Sequence, residues 1–115
     1  MGVTNSYRDM TTDFKRGQSF AYAGQVLNDG VVMDFTGWTI AAQLRTSFRR
    51  ELVQGLTAAF VNPATGIVSL TATAEQTSAW PLQLLMLDIR LQSPAGQVVL
   101  SDTVMINVAE PVTYV

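Results

Sequence analysis

Apolar and polar residues take turns along most of this chain. In "SFAYAGQVL" (19–27), Phe20, Tyr22, Gly24 and Val26 point one way and Ser19, Ala21, Ala23 and Gln25 the other. A period of two marks a half-buried strand. "DFTGWTIAAQLR" (34–45) repeats it, with Trp38, Ile40, Ala42 and Leu44 on one face and Thr39, Ala41, Gln43 and Arg45 on the other. An indole heading that face is predicted to anchor the centre of a core, burying on the order of 200 Å². "LQLLMLDIRLQS" (82–93) is predicted as the central strand, with Leu85, Leu87, Ile89 and Leu91 inward and Met86, Asp88, Arg90 and Gln92 outward. In "VVLSDTVMINV" (98–108) the apolar parity is interrupted at Ser101-Asp102, which predicts a bulge.

Between these runs lie the turn signals. "NDG" (28–30) is a hairpin signature, because its residues tolerate positive φ. "NPATG" (62–66) and "SPAGQ" (93–97) read as turns by composition. "SFRRELVQG" (47–55) is predicted as a charged hairpin tip followed by a short edge strand, Glu51 to Gln54. "LTAAFVN" is predicted as a separate strand burying Leu56, Ala58 and Phe60, and "IVSLTAT" as another with Val68 and Leu70 inward. Thr73 with Gln76 three residues on forms a capping box. One helical turn is therefore expected near 74–79, stopped by Pro81, with Trp80 closing the end of the core.

Short strands with turn signals every eight to twelve residues predict an all-β chain, an antiparallel sandwich of seven or eight strands. Residues 1–11 are polar, with isolated Val3, Tyr7 and Met10, and read as an extended N-terminal arm; 12–115 read as one sandwich domain.

Composition narrows the role. The chain is 48% apolar but only 14% charged, against a usual charged share of about 25%. Low charge with much Ala, Thr, Val and Gln suggests that part of the surface meets protein rather than water. A net charge of −2 with a single lysine, Lys15, argues against nucleic acid. The pairs Lys15-Arg16 and Arg49-Arg50 read as solvated turn charges. No apolar run approaches a membrane span, and residues 1–19 lack the apolar core of a secretory signal.

Candidate chemistry is scarce. There is no cysteine and no histidine, which removes the usual thiolate and imidazole metal sites and the usual general base. The carboxylates are scattered, and Asp88 is expected to pair across strands with Arg45. No catalytic residue, cofactor or metal ligand is assigned, and no enzyme activity is expected.

The stretches "FKRGQSF", "DFTGWTIAAQLR", "TGIVSLTATAEQTSAWP" and "LQLLMLDIRLQSPAGQVVLSDTVMINV" together resemble the immunoglobulin-like N-terminal domains of bacteriophage baseplate and tail-fibre proteins. The resemblance covers about residues 13 to 113 and departs at Gln83 and Leu84, where that family commonly has Gly and Tyr. It implies an immunoglobulin-like sandwich acting as a structural protein of a phage particle. The role would be a tail, baseplate or fibre adaptor, or a capsid decoration subunit, assembled in the host cytoplasm and located in the virion. The implied partners are other virion proteins and further copies of the chain. Tyr7, Arg8 and Met10 in the arm, with Val112 and Tyr114, are the expected contacts; Trp38, Ile40, Leu44, Leu87 and Ile89 are the expected core. The alternative is a carbohydrate-binding adhesion module using Tyr22, Trp80 and Tyr114.

Overall fold

A computed structural model describes residues 2–4 and 11–113. Ten strands and one short helix follow in chain order: β1 (Gly2–Thr4), β2 (Thr11–Lys15), β3 (Phe20–Asn28), β4 (Val31–Val32), β5 (Thr39–Thr46), β6 (Leu52–Asn62), β7 (Ile67–Ala72), α1 (Ala74–Thr77), β8 (Leu84–Gln92), β9 (Val98–Leu100) and β10 (Val104–Ala109). One layer is ordered β1-β3-β7-β6, with β4 hydrogen-bonded to β3. The other is ordered β5-β8-β10-β2, with β9 on β8. These are the ABED and CFG sheets of an immunoglobulin-like sandwich. α1 carries the chain from β7 in one sheet to β8 in the other.

The long alternating runs face as the pattern predicts. Phe20, Tyr22 and Val26 of β3, Val68 and Leu70 of β7, and Leu85, Leu87, Ile89 and Leu91 of β8 are buried in one core between the sheets. The "NDG" hairpin joins β3 to β4 through Asp29 (φ 52°) and Gly30 (φ 77°). Positive φ at both positions is the turn that matches the right-handed twist of flanking strands. The capping box is present: Thr73 Oγ1 accepts from the Gln76 N–H (3.1 Å), and Gln76 Oε1 accepts from the Thr73 N–H (2.9 Å).

Three expectations need correction. The large buried indole is Trp80, 1% exposed, at the end of the core where it was expected, and not Trp38. Trp80 packs against Phe14 and Phe20 with ring centroids 5.3 and 5.6 Å away. Trp38 is half-buried at the sandwich end, edge-on to the buried Phe35 at 4.9 Å, and Ile40 beside it is also half-buried. Apolar face-mates established which side the indole takes, but not how deep along the strand it sits.

Second, the proposed edge strand and "LTAAFVN" are one strand, β6, which pairs β5 through Leu52–Leu56 and β7 through Thr57–Asn62. It passes from one sheet to the other with Leu56, Ala58 and Phe60 on one inward face, and the polar Gln54 and Gly55 interrupt the apolar pattern that would show its continuity. Third, the sandwich is not wholly antiparallel, because β2 runs parallel to β10. Gly2–Thr4, placed in the arm, lies on β3 in the opposite sheet, and the chain then joins the far sheet along β10. The expected helical turn is present as Ala74–Thr77, with Ser78 as its C-cap.

The predicted irregularity at Ser101-Asp102 separates β9 from β10 on the same side of β8. Val99 is buried before the break and Val104, Ile106 and Val108 after it. Ser101 Oγ substitutes for the ladder, accepting the Ile89 N–H at 2.8 Å.

Candidate interaction surface

The strand registers sort every connection to one of two ends. At one end lie the β3–β4 turn, the segment 33–38, the turn at 63–66 and the β8–β9 turn. At the other lie the β2–β3 turn, the β5–β6 tip, the segment 73–83 and the residues after β10. The molecule measures 45 × 25 × 24 Å. An eleven-residue β6 spans about 36 Å, so the long dimension follows the strands and the two ends are its poles.

Nine large apolar side chains are exposed among the described residues. Val31, Val32, Val61 and Val98 lie at the first pole; Phe48, Leu52, Leu82 and Val112 lie at the second; Leu100 alone sits on a flank. The outer faces contrast with this. Two complete rows of the β3–β7–β6 face are small and uncharged, Ala21–Thr71–Thr57 and Ala23–Ser69–Ala59. The β5–β8 face carries Gln43, Arg45, Asp88 and Arg90. Exposed apolar side chains gathered into patches mark interaction sites, so the poles are the candidate interaction surface.

The poles also differ in charge. The connections 28–38, 61–66 and 93–97 at the first pole contain Asp29 and Asp34 and no cation. Asp34 Oδ1 accepts from the Thr36 hydroxyl at 2.6 Å and the Thr36 N–H at 2.9 Å. These bonds hold its carboxyl below the ordinary value, so it stays ionised. The connections at the second pole contain Arg16, Arg49 and Arg50 against Glu51, Glu75 and Glu110, three cations matched by three carboxylates. Arg16 forms an ion pair with Glu110 and donates to the Trp80 carbonyl, and Arg49 and Arg50 lie beside Glu51 at the β5–β6 tip.

That tip is held firmly. Arg50 N–H donates to the Thr46 carbonyl (2.9 Å), Thr46 N–H to the Glu51 carbonyl (2.9 Å), and Arg45 Nη1 to the Arg50 carbonyl (3.0 Å). The result presents Phe48 to solvent at 86% exposure, beside Arg49 and Arg50. The expected Arg45–Asp88 pair is replaced: Asp88 lies opposite Gln43, and Arg45 donates to Gln43 Oε1 from Nε (3.2 Å) and Nη2 (2.8 Å).

Of the contacts assigned from sequence, Tyr7, Arg8, Met10 and Tyr114 lie outside the described residues, and Val112 is exposed at the second pole. Leu44, Leu87 and Ile89 lie in the buried core. The glycan platform is withdrawn, because the rings of Tyr22 and Trp80 are buried. Phe48, Val31, Val32 and Val61 were missed as surface anchors; each sits beside a turn signal, where an apolar residue has no core to enter.

No protein-family model matches the chain. No curated protein matches it. Among solved structures, CopC from Methylosinus trichosporium OB3b is similar, with 13% identity and a TM-score of 0.54 over 99% of this chain and 97% of that one. At that identity the likeness shows the fold alone. It overturns the bacteriophage reading in family, role and virion location, since the similar structure is a bacterial protein and no match ties the chain to a phage particle. The stretches behind that reading are alternating strands and glycine turns, which immunoglobulin-like sandwiches share irrespective of role.

Proposed function

We propose that this chain is a non-catalytic protein-binding domain that docks through the poles of its sandwich. The observation that carries the reading is the gathering of exposed large apolar side chains at the two ends, with arginines flanking Phe48. Aromatic and arginine side chains at an exposed, rigid tip are the composition of binding hot spots. A catalytic role finds no support in a chain without His or Cys. The cations in the second pole's connections are matched by three carboxylates, which favours protein over nucleic acid as the partner.

The likeness to CopC raises metal handling as a rival reading. The donor set does not fit it. The sequence has no His or Cys, and the described residues contain no group of three or more His, Cys, Asp or Glu able to hold a metal ion. Met86 and Met105, cross-strand partners on β8 and β10, are the nearest approach to a soft-cation site among the described residues.

Photo-crosslinking in the chain's own host cells tests the reading. A photoreactive side chain in place of Phe48 or Val61 is expected to give protein adducts, and one in place of Gln43 on the flank is not. Adducts as frequent at Gln43 as at the poles, or none at the poles, would refute it.

A further inference from the structure

Of the six aspartates in the chain, only Asp29 is followed by a residue without a side chain, Gly30. We propose that Asp29-Gly30, at the tip of the β3–β4 hairpin, is a site of spontaneous backbone modification in which Asp29 converts to isoaspartate through a succinimide. The inference goes beyond the docking reading and stands whether or not the poles bind a partner. The Gly30 nitrogen bonds to Cγ of Asp29, the bond from Cγ to its hydroxyl oxygen breaks, and that oxygen leaves as water with the amide proton. Hydrolysis of the five-membered ring returns one water. Opening at Cγ restores aspartate. Opening at the main-chain carbonyl carbon leaves the chain running through Cβ and Cγ, one methylene longer. Mass is unchanged, and nothing is oxidised or reduced.

The tip brings together what this reaction needs. Asp29 and Gly30 are both exposed. A Cβ built on Gly30 would meet nothing within 4 Å, so the ring has room. The Gly30 N–H donates to no group among the described residues. β4 is held to β3 by two residue pairs, Leu27–Val32 and Asn28–Val31, and both valines are exposed. A segment with so little burial opens locally at low cost, which frees the rotation about Asp29 that ring closure requires.

The other described aspartates lack this combination. The Phe35 N–H after Asp34 donates to the Pro63 carbonyl at 2.8 Å, and the Ile89 N–H after Asp88 donates to Ser101 Oγ at 2.8 Å. Asp13 lies within β2 on β10 and precedes the buried Phe14. Asp102 precedes Thr103, whose branched side chain crowds the attack. The added methylene at position 29 breaks a two-residue turn that depends on positive φ at Asp29 (52°) and Gly30 (77°), so Val31 and Val32 come away from β3.

The test is to hold the full chain near neutral pH at physiological temperature for weeks, beside a free peptide of residues 27–33. Peptide mapping with electron-transfer fragmentation separates isoaspartate from aspartate at equal mass. Isoaspartate is expected to accumulate at position 29 severalfold faster than at 13, 34, 88 or 102, preceded by a succinimide one water lighter. Asp29→Asn suits the same turn and is expected to reach the same product faster, with ammonia as the leaving group. In the aged chain the amides of Val31 and Val32 are expected to exchange hydrogen faster, and that of Ile89 to be unchanged. Conversion in the free peptide with none in the chain would overturn the proposal. So would isoaspartate forming no faster at 29 than at the other aspartates, an Asp29→Asn chain that keeps its amide, or converted chain in which Val31 and Val32 exchange as before.

Discussion

The indole Nε1–H of Trp80 donates to Oε1 of Gln54 at 2.7 Å, joining the connection after α1 to the half of β6 that pairs with β5. Trp80 is the largest fully buried side chain among the described residues, and this bond satisfies its only polar atom. Trp80→Phe keeps an aromatic ring and strands the Gln54 side chain, whose Nε2 already has no partner among the described residues. A loss of about 1–3 kcal/mol is expected from the broken buried hydrogen bond, with a further loss for the smaller ring. The urea midpoint measures it.

Ser101 stands where the β8 ladder is interrupted. Its Oγ accepts the Ile89 N–H and donates to the Asp102 carbonyl (2.9 Å). Ser101→Ala leaves a buried N–H unpaired, at a cost of about 1–3 kcal/mol. Hydrogen exchange at the Ile89 amide is expected to accelerate more than at Leu85 or Leu87, locating the loss at the break.

Gly66 ends the 3-10 turn Pro63–Thr65 with φ 77°. A Cβ there would sit 2.5 Å from the Val26 carbonyl and 3.2 Å from the Phe35 ring, so no side chain fits without moving backbone. The same carbonyl region is pinned by the Val26 N–H to Gly66 carbonyl bond (2.9 Å). Gly66→Ala is expected to cost on the order of 1–3 kcal/mol in strain and to lower the thermal midpoint. Gly37→Ala, with a similar φ of 85° but open space around it, is expected to cost less.

Asp34 links pH to the acidic pole. The Thr36 hydroxyl, then the Thr36 N–H, lower its carboxyl pKa. Because the folded value is depressed, the associated stability is present above the unfolded value and fades as pH falls through the folded one. Thr36→Val removes the first of these bonds. It is expected to raise the Asp34 carboxyl toward its ordinary value in an NMR titration, and to shift the acid limb of the stability profile toward higher pH.

The donor set makes a separate prediction. Titration with monovalent or divalent copper is expected to leave the thermal midpoint unchanged within error, since metal that binds the folded chain raises stability by mass action. A stoichiometric rise that disappears in Met86→Leu would establish metal handling instead.

The sandwich was legible because period-two alternation in β3, β5 and β8 and the "NDG" turn report backbone geometry directly. Trp38 and Trp80 show where that legibility ends. Alternation gives the face of a residue and not its height between the poles, and Trp80 follows a helical turn that carries no strand parity. β6 escaped because Gln54 and Gly55 interrupt its apolar run just before it crosses from one sheet to the other. The poles were invisible for a related reason. Phe48 and Val61 are 13 residues apart in sequence yet lie at opposite ends, and Val61 joins Val31 and Asp29 only once β3 and β6 both pair with β7. The arginines at 49 and 50 read as ordinary turn charges until the exposed ring beside them is in view.

Photo-crosslinking from positions 48, 61 and 43 in the chain's own host cells tests the central claim most directly, because it shows which surface meets a partner. The account predicts protein adducts from Phe48 and Val61 at the poles and none from Gln43 on the flank. Adducts as frequent from Gln43 as from the poles, or none from the poles, would contradict it.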